Sequence, residues 1–194
     1  MEKSLDLFET VPDPHDLVIQ VFPIIDYAMR GMCAKPYPGH PKGCPKFNAG
    51  YPECPPDAMR FYSYFNIDDR VYAIVNEFNL EAQVRKMRTS HPDWSERQAR
   101  NCYYWQKGAR AELRRKIGIV LSNRDFKGYD FTMVPEAMGV DITWTLEKAG
   151  IILEWPPVNI VRQVALLGVP INRRINTTEP DNCIITCPPG MGER

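Results

Sequence analysis

The 24 residues from Cys33 to Pro56 constrain this chain more than any other stretch, because they hold seven prolines, three glycines and three cysteines. Apolar positions there follow neither the two-residue period of a strand nor the 3.6-residue period of a helix, so the segment predicts a long irregular loop. A loop of that length inside a compact domain is uncommon unless it is functional or disordered, and a bound metal would supply the order. Cys33, Cys44 and Cys54 lie in it with ten and then nine residues between them. That spacing lacks the C-x2-C knuckles of most structural zinc sites and the C-x2-C-x2-C run of ferredoxins. Each intervening stretch is instead long enough to arch over one edge of a bulky cluster.

The residue types beside the cysteines suit ligation. Cys44 and Cys54 each precede proline, which drives the cysteine backbone into an extended conformation and presets the direction of its sulfur. Further prolines lower the entropy the empty loop would lose on ordering. Gly39, Gly43 and Gly50 permit turns and close approach to an inorganic core. The bland alternative is a proline-rich linker with incidental cysteines.

The rest of the chain reads as an ordinary globular domain. With 44% hydrophobic and 25% charged residues in 194, the sequence predicts a single domain, 1–194, with 33–56 as its metal-binding loop and 172–194 as a polar C-terminal tail. The 24 basic and 24 acidic side chains cancel, which leaves no net field to draw nucleic acid or an anionic membrane. No basic region followed by an apolar stretch opens the chain, and no apolar run is long enough to span a bilayer. A cytoplasmic location is expected. There disulfides are rare, so the cysteines are expected as ligands or core residues.

Helical periodicity over His15–Gly31, interrupted at Pro23, predicts a helix delivering the chain to Cys33. Arg70–Phe78 predicts a strand, followed by an amphipathic helix through Leu80, Val84 and Met87 that ends at His91-Pro92. Ser95 and Gln98 form a capping box opening a helix whose apolar face runs from Ala99 through Cys102 to Val120. A strand is expected from Tyr129 to an end near Pro135, and a helix over Ile142–Ala149 between a capping Asp141 and Gly150. Two more strands are expected at IILEW and NIVRQVALLGV. The fold class is therefore α/β or α+β, with four or five strands and flanking helices.

The string CAKPYPGHPKGCPKFNAGYPECPP resembles the predicted metal-binding protein family with the cysteine-rich CPP motif. In its signature a cysteine is followed by PYPGHPKGCPN and later by CPP, and the function of its members is largely unknown. The segments HPDWSERQARNCYYWQ and PEAMGVDI are similar to that family too, so the likeness touches three separate parts of the chain. The resemblance implies a [4Fe-4S] cluster with Cys33, Cys44 and Cys54 as ligands. A second, ferredoxin-like cysteine set found in larger relatives is missing, and no activity carries over.

A cubane has four irons, so three loop cysteines leave one iron to explain. Cys187, in a CPPG that echoes the CPP at Cys54, would complete a thiolate set suited to electron transfer or redox sensing, with a redox partner protein. His40 is another candidate, since imidazole suits iron as well as zinc, and three cysteines with His40 would also serve a structural zinc site. An exchangeable fourth position would instead take a small-molecule substrate. There iron acts as a Lewis acid in a non-redox hydrolytic or desulfurising reaction, an iron–sulfur hydrolase acting for example on a thioester or thiocarbonyl. Tyr37, His40 and Lys42 lie in the same loop as candidate donors or proton shuttles, and Glu136 and Glu154 are candidate carboxylates. Tyr103, Tyr104 and Trp105 are expected to pack, Cys102 to lie in the core, and Met133 and Met138 to fill it. No P-loop, GxGxxG turn, GxSxG elbow or CxxxCxxC triplet is present.

Overall fold

The computed structural model describes residues 12–36, 41–154 and 156–171. Its centre is a pair of long antiparallel strands, β3 (Val71–Asn79) and β5 (Ile160–Pro170), in register from Tyr72 opposite Leu167 to Asn79 opposite Ile160. β1 (Ile19–Val21) lies along the other side of β3, with Ile19 opposite Ala73. The outer side of β5 is shared by β2 (Phe65–Asn66) and β4 (Asp130–Thr132). All five strands are antiparallel, which makes the fold α+β.

Side chains alternate across a strand, and here both faces of the central pair are apolar. Ile74, Ala165 and Leu167 point to one face, where α4 (Gln106–Ser122) lays down Leu113, Ile117 and Val120 at helical spacing. Asn76, buried on that same face, donates its side-chain amide to the Ala109 carbonyl at 2.9 Å. Val71, Ala73 and Leu166 point the other way. They meet α1 (Phe61–Tyr64), α5 (Ile142–Lys148) and the 3-10 turn Pro135–Met138 through Phe61, Leu146 and Met138. A smaller cluster joins α2 (Leu80–Ser90) to α3 (Glu96–Ala99) through Leu80, Val84 and Ala99. Among the described residues no helix is long and apolar enough to cross a membrane.

Several expected elements take other forms. In place of a helix over His15–Gly31 there is a 3-10 turn, Pro14–Leu17, then β1, then a 3-10 helix, Tyr27–Ala34. Of the apolar residues that mimic a helical stripe, Val21 pairs instead with Val71 of β3, and Ile25 bridges Val140. The capping box at Ser95 and Gln98 is present, but the helix it opens stops at Arg100. Asn101 explains the break: its side chain accepts the Tyr103 amide at 3.0 Å, offering the backbone a local alternative to the helix. A 3-10 turn, Cys102–Tyr104, intervenes before α4 begins.

Ile151–Glu154 is not a strand. Glu154 folds back to accept the Asn159 and Ile160 amides at 3.0 and 3.1 Å, clasping the Pro156-Pro157 turn. In the Tyr129–Gly139 stretch only Asp130–Thr132 is strand, and Pro135 starts a 3-10 turn as its fixed φ favours.

Candidate metal centre

Cys33 lies near the end of the Tyr27–Ala34 helix, whose start is capped by Asp26 accepting the Ala28 amide at 2.8 Å. When the chain returns after residue 40, Gly43 passes directly against residues 33 and 34. A Cβ at Gly43 would stand 2.6 Å from the Cys33 carbonyl oxygen and 2.8 Å from the Ala34 carbonyl carbon, and its φ is +81°. Only glycine combines that φ with that approach at low cost. The result is a direct tie between two of the cysteines: the Cys44 amide donates to the Cys33 carbonyl at 2.7 Å.

Successive turns lead the chain from Cys44 to the third cysteine. The Phe47 amide closes a turn on the Cys44 carbonyl at 3.0 Å, and the Asn48 amide then donates to the Pro55 carbonyl at 2.9 Å. Cys54 donates to the Tyr51 carbonyl and accepts from the Ala58 amide, both at 2.9 Å. Arg30, one turn before Cys33, reaches across with Nη1 on the Ala58 carbonyl and Nη2 on the Pro56 carbonyl, each at 2.8 Å. One guanidinium thus pins the exit of the loop to the helix at its entrance. Charged donors make stronger hydrogen bonds than neutral ones, about 1.5–3 kcal/mol each.

All three cysteines are half-buried thiols outside any disulfide. Half-buried thiols are soft donors of the kind an iron–sulfur cluster takes, and two of the three are tied through the backbone of Cys33 and Cys44. Among the described residues no three His, Cys, Asp or Glu side chains converge as a site for a single ion. Thiolates bound to three different irons share no common coordination sphere, so a cluster does not require that convergence.

Glu136 belongs to the turn Pro135–Met138, and that turn is fastened to the segment leading into Cys33. The Asp26 amide donates to the Gly139 carbonyl at 2.9 Å, the Asp141 amide donates to the Ile24 carbonyl at 2.8 Å, and Ile25 bridges Val140. Gly139 has φ +91°, and a Cβ there would meet the Tyr27 ring at 2.4 Å, so the Tyr27–Ala34 helix seats closely on the turn. Arg60 lies over the other part of the assembly, 4.9 Å from the Tyr27 ring centroid. Glu136 itself is open to water, yet protein masses around it. That desolvation, with the Asp141 charge adding to it, pushes its carboxyl above the ordinary value of 4.5.

The other residues singled out in the sequence take varied places. Lys42 is exposed and immediately precedes Gly43. Tyr37, His40 and Cys187 lie outside the described residues. Glu154 holds backbone: the Ile160 and Asn159 amides keep its carboxyl below the usual range, and it serves the turn after residue 155. Cys102 is half-buried and disulfide-bonded rather than a core thiol. Tyr103 is exposed and meets Tyr104 edge-on, Tyr104 packs at the surface against Trp94 with ring centroids 5.0 Å apart, and Trp105 is stacked on Phe78 at 5.1 Å. Met138 is buried and Met133 packs against the α4 face, as core filler should. Arg30 is a brace the sequence conceals, because both its acceptors are backbone carbonyls that no residue pattern encodes.

Comparison with family models, with curated proteins and with solved structures finds no match to the chain. The metal-binding likeness therefore rests on its motifs.

Proposed function

We propose that this chain is a [4Fe-4S] protein in which Cys33, Cys44 and Cys54 each hold one iron and the fourth iron takes a substrate. The reading is supported above all by the Cys44 amide donating to the Cys33 carbonyl at 2.7 Å, which makes two cysteines eleven residues apart immediate neighbours. A cluster so bound would supply a thiophilic Lewis acid for a non-redox hydrolytic or desulfurising step on a carbonyl or thiocarbonyl compound. The chain's own part is to orient three thiolates, which the prolines after Cys44 and Cys54 and the Arg30 brace accomplish. Its second part is proton handling. Glu136 is water-accessible, its turn is fastened to the Cys33 segment, and desolvation raises its carboxyl above the ordinary value, so it holds a proton more readily than an ordinary glutamate.

The test uses the anaerobically loaded full chain and its visible and EPR spectra. Cyanide or a small thiol should shift the cluster spectrum, and Cys187→Ser should retain both the cluster and the shift. Loss of the cluster in Cys187→Ser would transfer the protein to the four-thiolate, electron-transfer class. No spectral response to any added ligand would refute the exchangeable iron.

A further inference from the structure

Away from the cysteine loop, β1 covers only residues 71–73 of β3, and the side of β3 beyond them opens into a cleft of about 660 Å³. It is a wide, open depression whose volume falls within the range of small-molecule sites. Its walls are of two kinds. Ile19, Val75, Ile151 and Ile152 are apolar, and Ile152 is 75% exposed to water although nothing in its own chemistry favours that. Lys116, Arg162 and Glu77 are charged.

The charges do not cancel. Arg162 is fixed, with its Nε and Nη2 on Glu77 Oε1 at 2.8 and 2.7 Å and its Nη1 on the Ile152 carbonyl at 2.9 Å. That pair is neutral. Lys116 reaches around from α4, half-buried, and among the described residues its ammonium makes a single hydrogen bond, to the Val75 carbonyl at 3.3 Å. An ammonium carries three donors, so two remain for a ligand. Glu112, one turn earlier on α4, also acts on Lys116, but its carboxylate is held by Arg115 at 2.8 and 2.9 Å, so the cleft combines a net positive charge, held partly out of water, with an apolar lining. A neutral or cationic molecule would leave Lys116 unmatched, and a small inorganic anion would leave the isoleucines wet.

We infer that this cleft binds a small amphipathic carboxylate, its anionic head on Lys116 and its hydrocarbon body over Val75, Ile151 and Ile152. The Glu77–Arg162 pair forms the rigid side wall. The site is independent of the iron–sulfur reading, since it shares no residue with the loop.

Octanoate is a suitable probe, with octanamide as its uncharged counterpart, titrated against the full chain by ligand-observed NMR and calorimetry. Octanoate should bind saturably and at least tenfold more tightly than octanamide. Lys116→Gln should erase that preference, and Ile152→Asp, at an exposed position that leaves the core untouched, should weaken octanoate at least tenfold. Lys86→Gln, on an exposed part of α2, serves as the control and should change nothing. Absence of saturable octanoate binding, or equal affinities in the parent, Lys116→Gln and Ile152→Asp proteins, would overturn the assignment.

Discussion

Replacing Gly43 with alanine puts one methyl group where the loop has no space for it. The added Cβ would meet the Cys33 oxygen at 2.6 Å and the Ala34 carbonyl carbon and oxygen at 2.8 Å, and all three are backbone atoms that cannot rotate away. An L-residue at φ +81° costs about 1–2 kcal/mol by itself. Relieving the clash means separating residues 43–44 from 33–34, which removes the 2.7 Å bond from Cys44 to Cys33, worth about 0.5–1.5 kcal/mol net. The sum, about 1.5–3.5 kcal/mol, corresponds to roughly 10- to 400-fold faster hydrogen exchange at the Cys44 amide. Gly50→Ala is the matched control. Its φ of +75° imposes the same conformational cost, but nothing lies within 4 Å of the new Cβ, so Cys44 exchange should stay near that of the parent. The core amides of β3 and β5 should be unaffected in both variants. If Cys44 exchanges alike in the two variants, the close approach of Gly43 to Cys33 does not organise the loop.

Other consequences follow from the core, the caps and the carboxyl by the loop. Leu113→Ala, at a position 1% exposed between α4 and the sheet, should lower unfolding free energy by about 2–5 kcal/mol in urea titration. Ser95→Ala removes one half of the capping box and should cost about 0.5–2 kcal/mol, read by the same titration. Glu136→Gln bears on pH dependence. Because the folded pKa is raised above 4.5, the unfolded chain ionises first. Stability is therefore undiminished while both states are protonated and falls as pH rises from 4.5 through the folded value. The glutamine variant should match the parent in thermal melts below that window and exceed it in Tm above it. A variant less stable than the parent at neutral pH would show that the Glu136 carboxyl is not desolvated.

Local chemistry announced itself in the sequence where one residue decides one feature. The capping box at Ser95, the cap at Asp141, the strand over Val71–Asn79 and the turn-rich loop all depend on neighbours a few residues apart. What escaped was decided at long range. Ile19–Val21 lies in a stretch whose apolar spacing is compatible with a helix, and the presence of Ala73 and Val71 alongside makes it a strand. Ile151–Glu154 is rich in strand formers, yet Glu154 finds its amide partners in its own turn and no ladder forms. At the candidate metal centre, the spacing and prolines pointed to three cysteines acting together. The Arg30 brace and the seating of Tyr27 against Gly139 arise from backbone groups that any sequence possesses, so no pattern marks them.

The central claim is most directly tested by measuring iron, acid-labile sulfide and zinc in the anaerobically purified full chain, beside Cys33→Ser, Cys44→Ser and Cys54→Ser. The parent should be brown, with about four irons and about four sulfides per chain and little zinc. Each serine variant should lose most of both. Stoichiometric zinc without sulfide, or iron content unchanged by all three substitutions, would contradict the account.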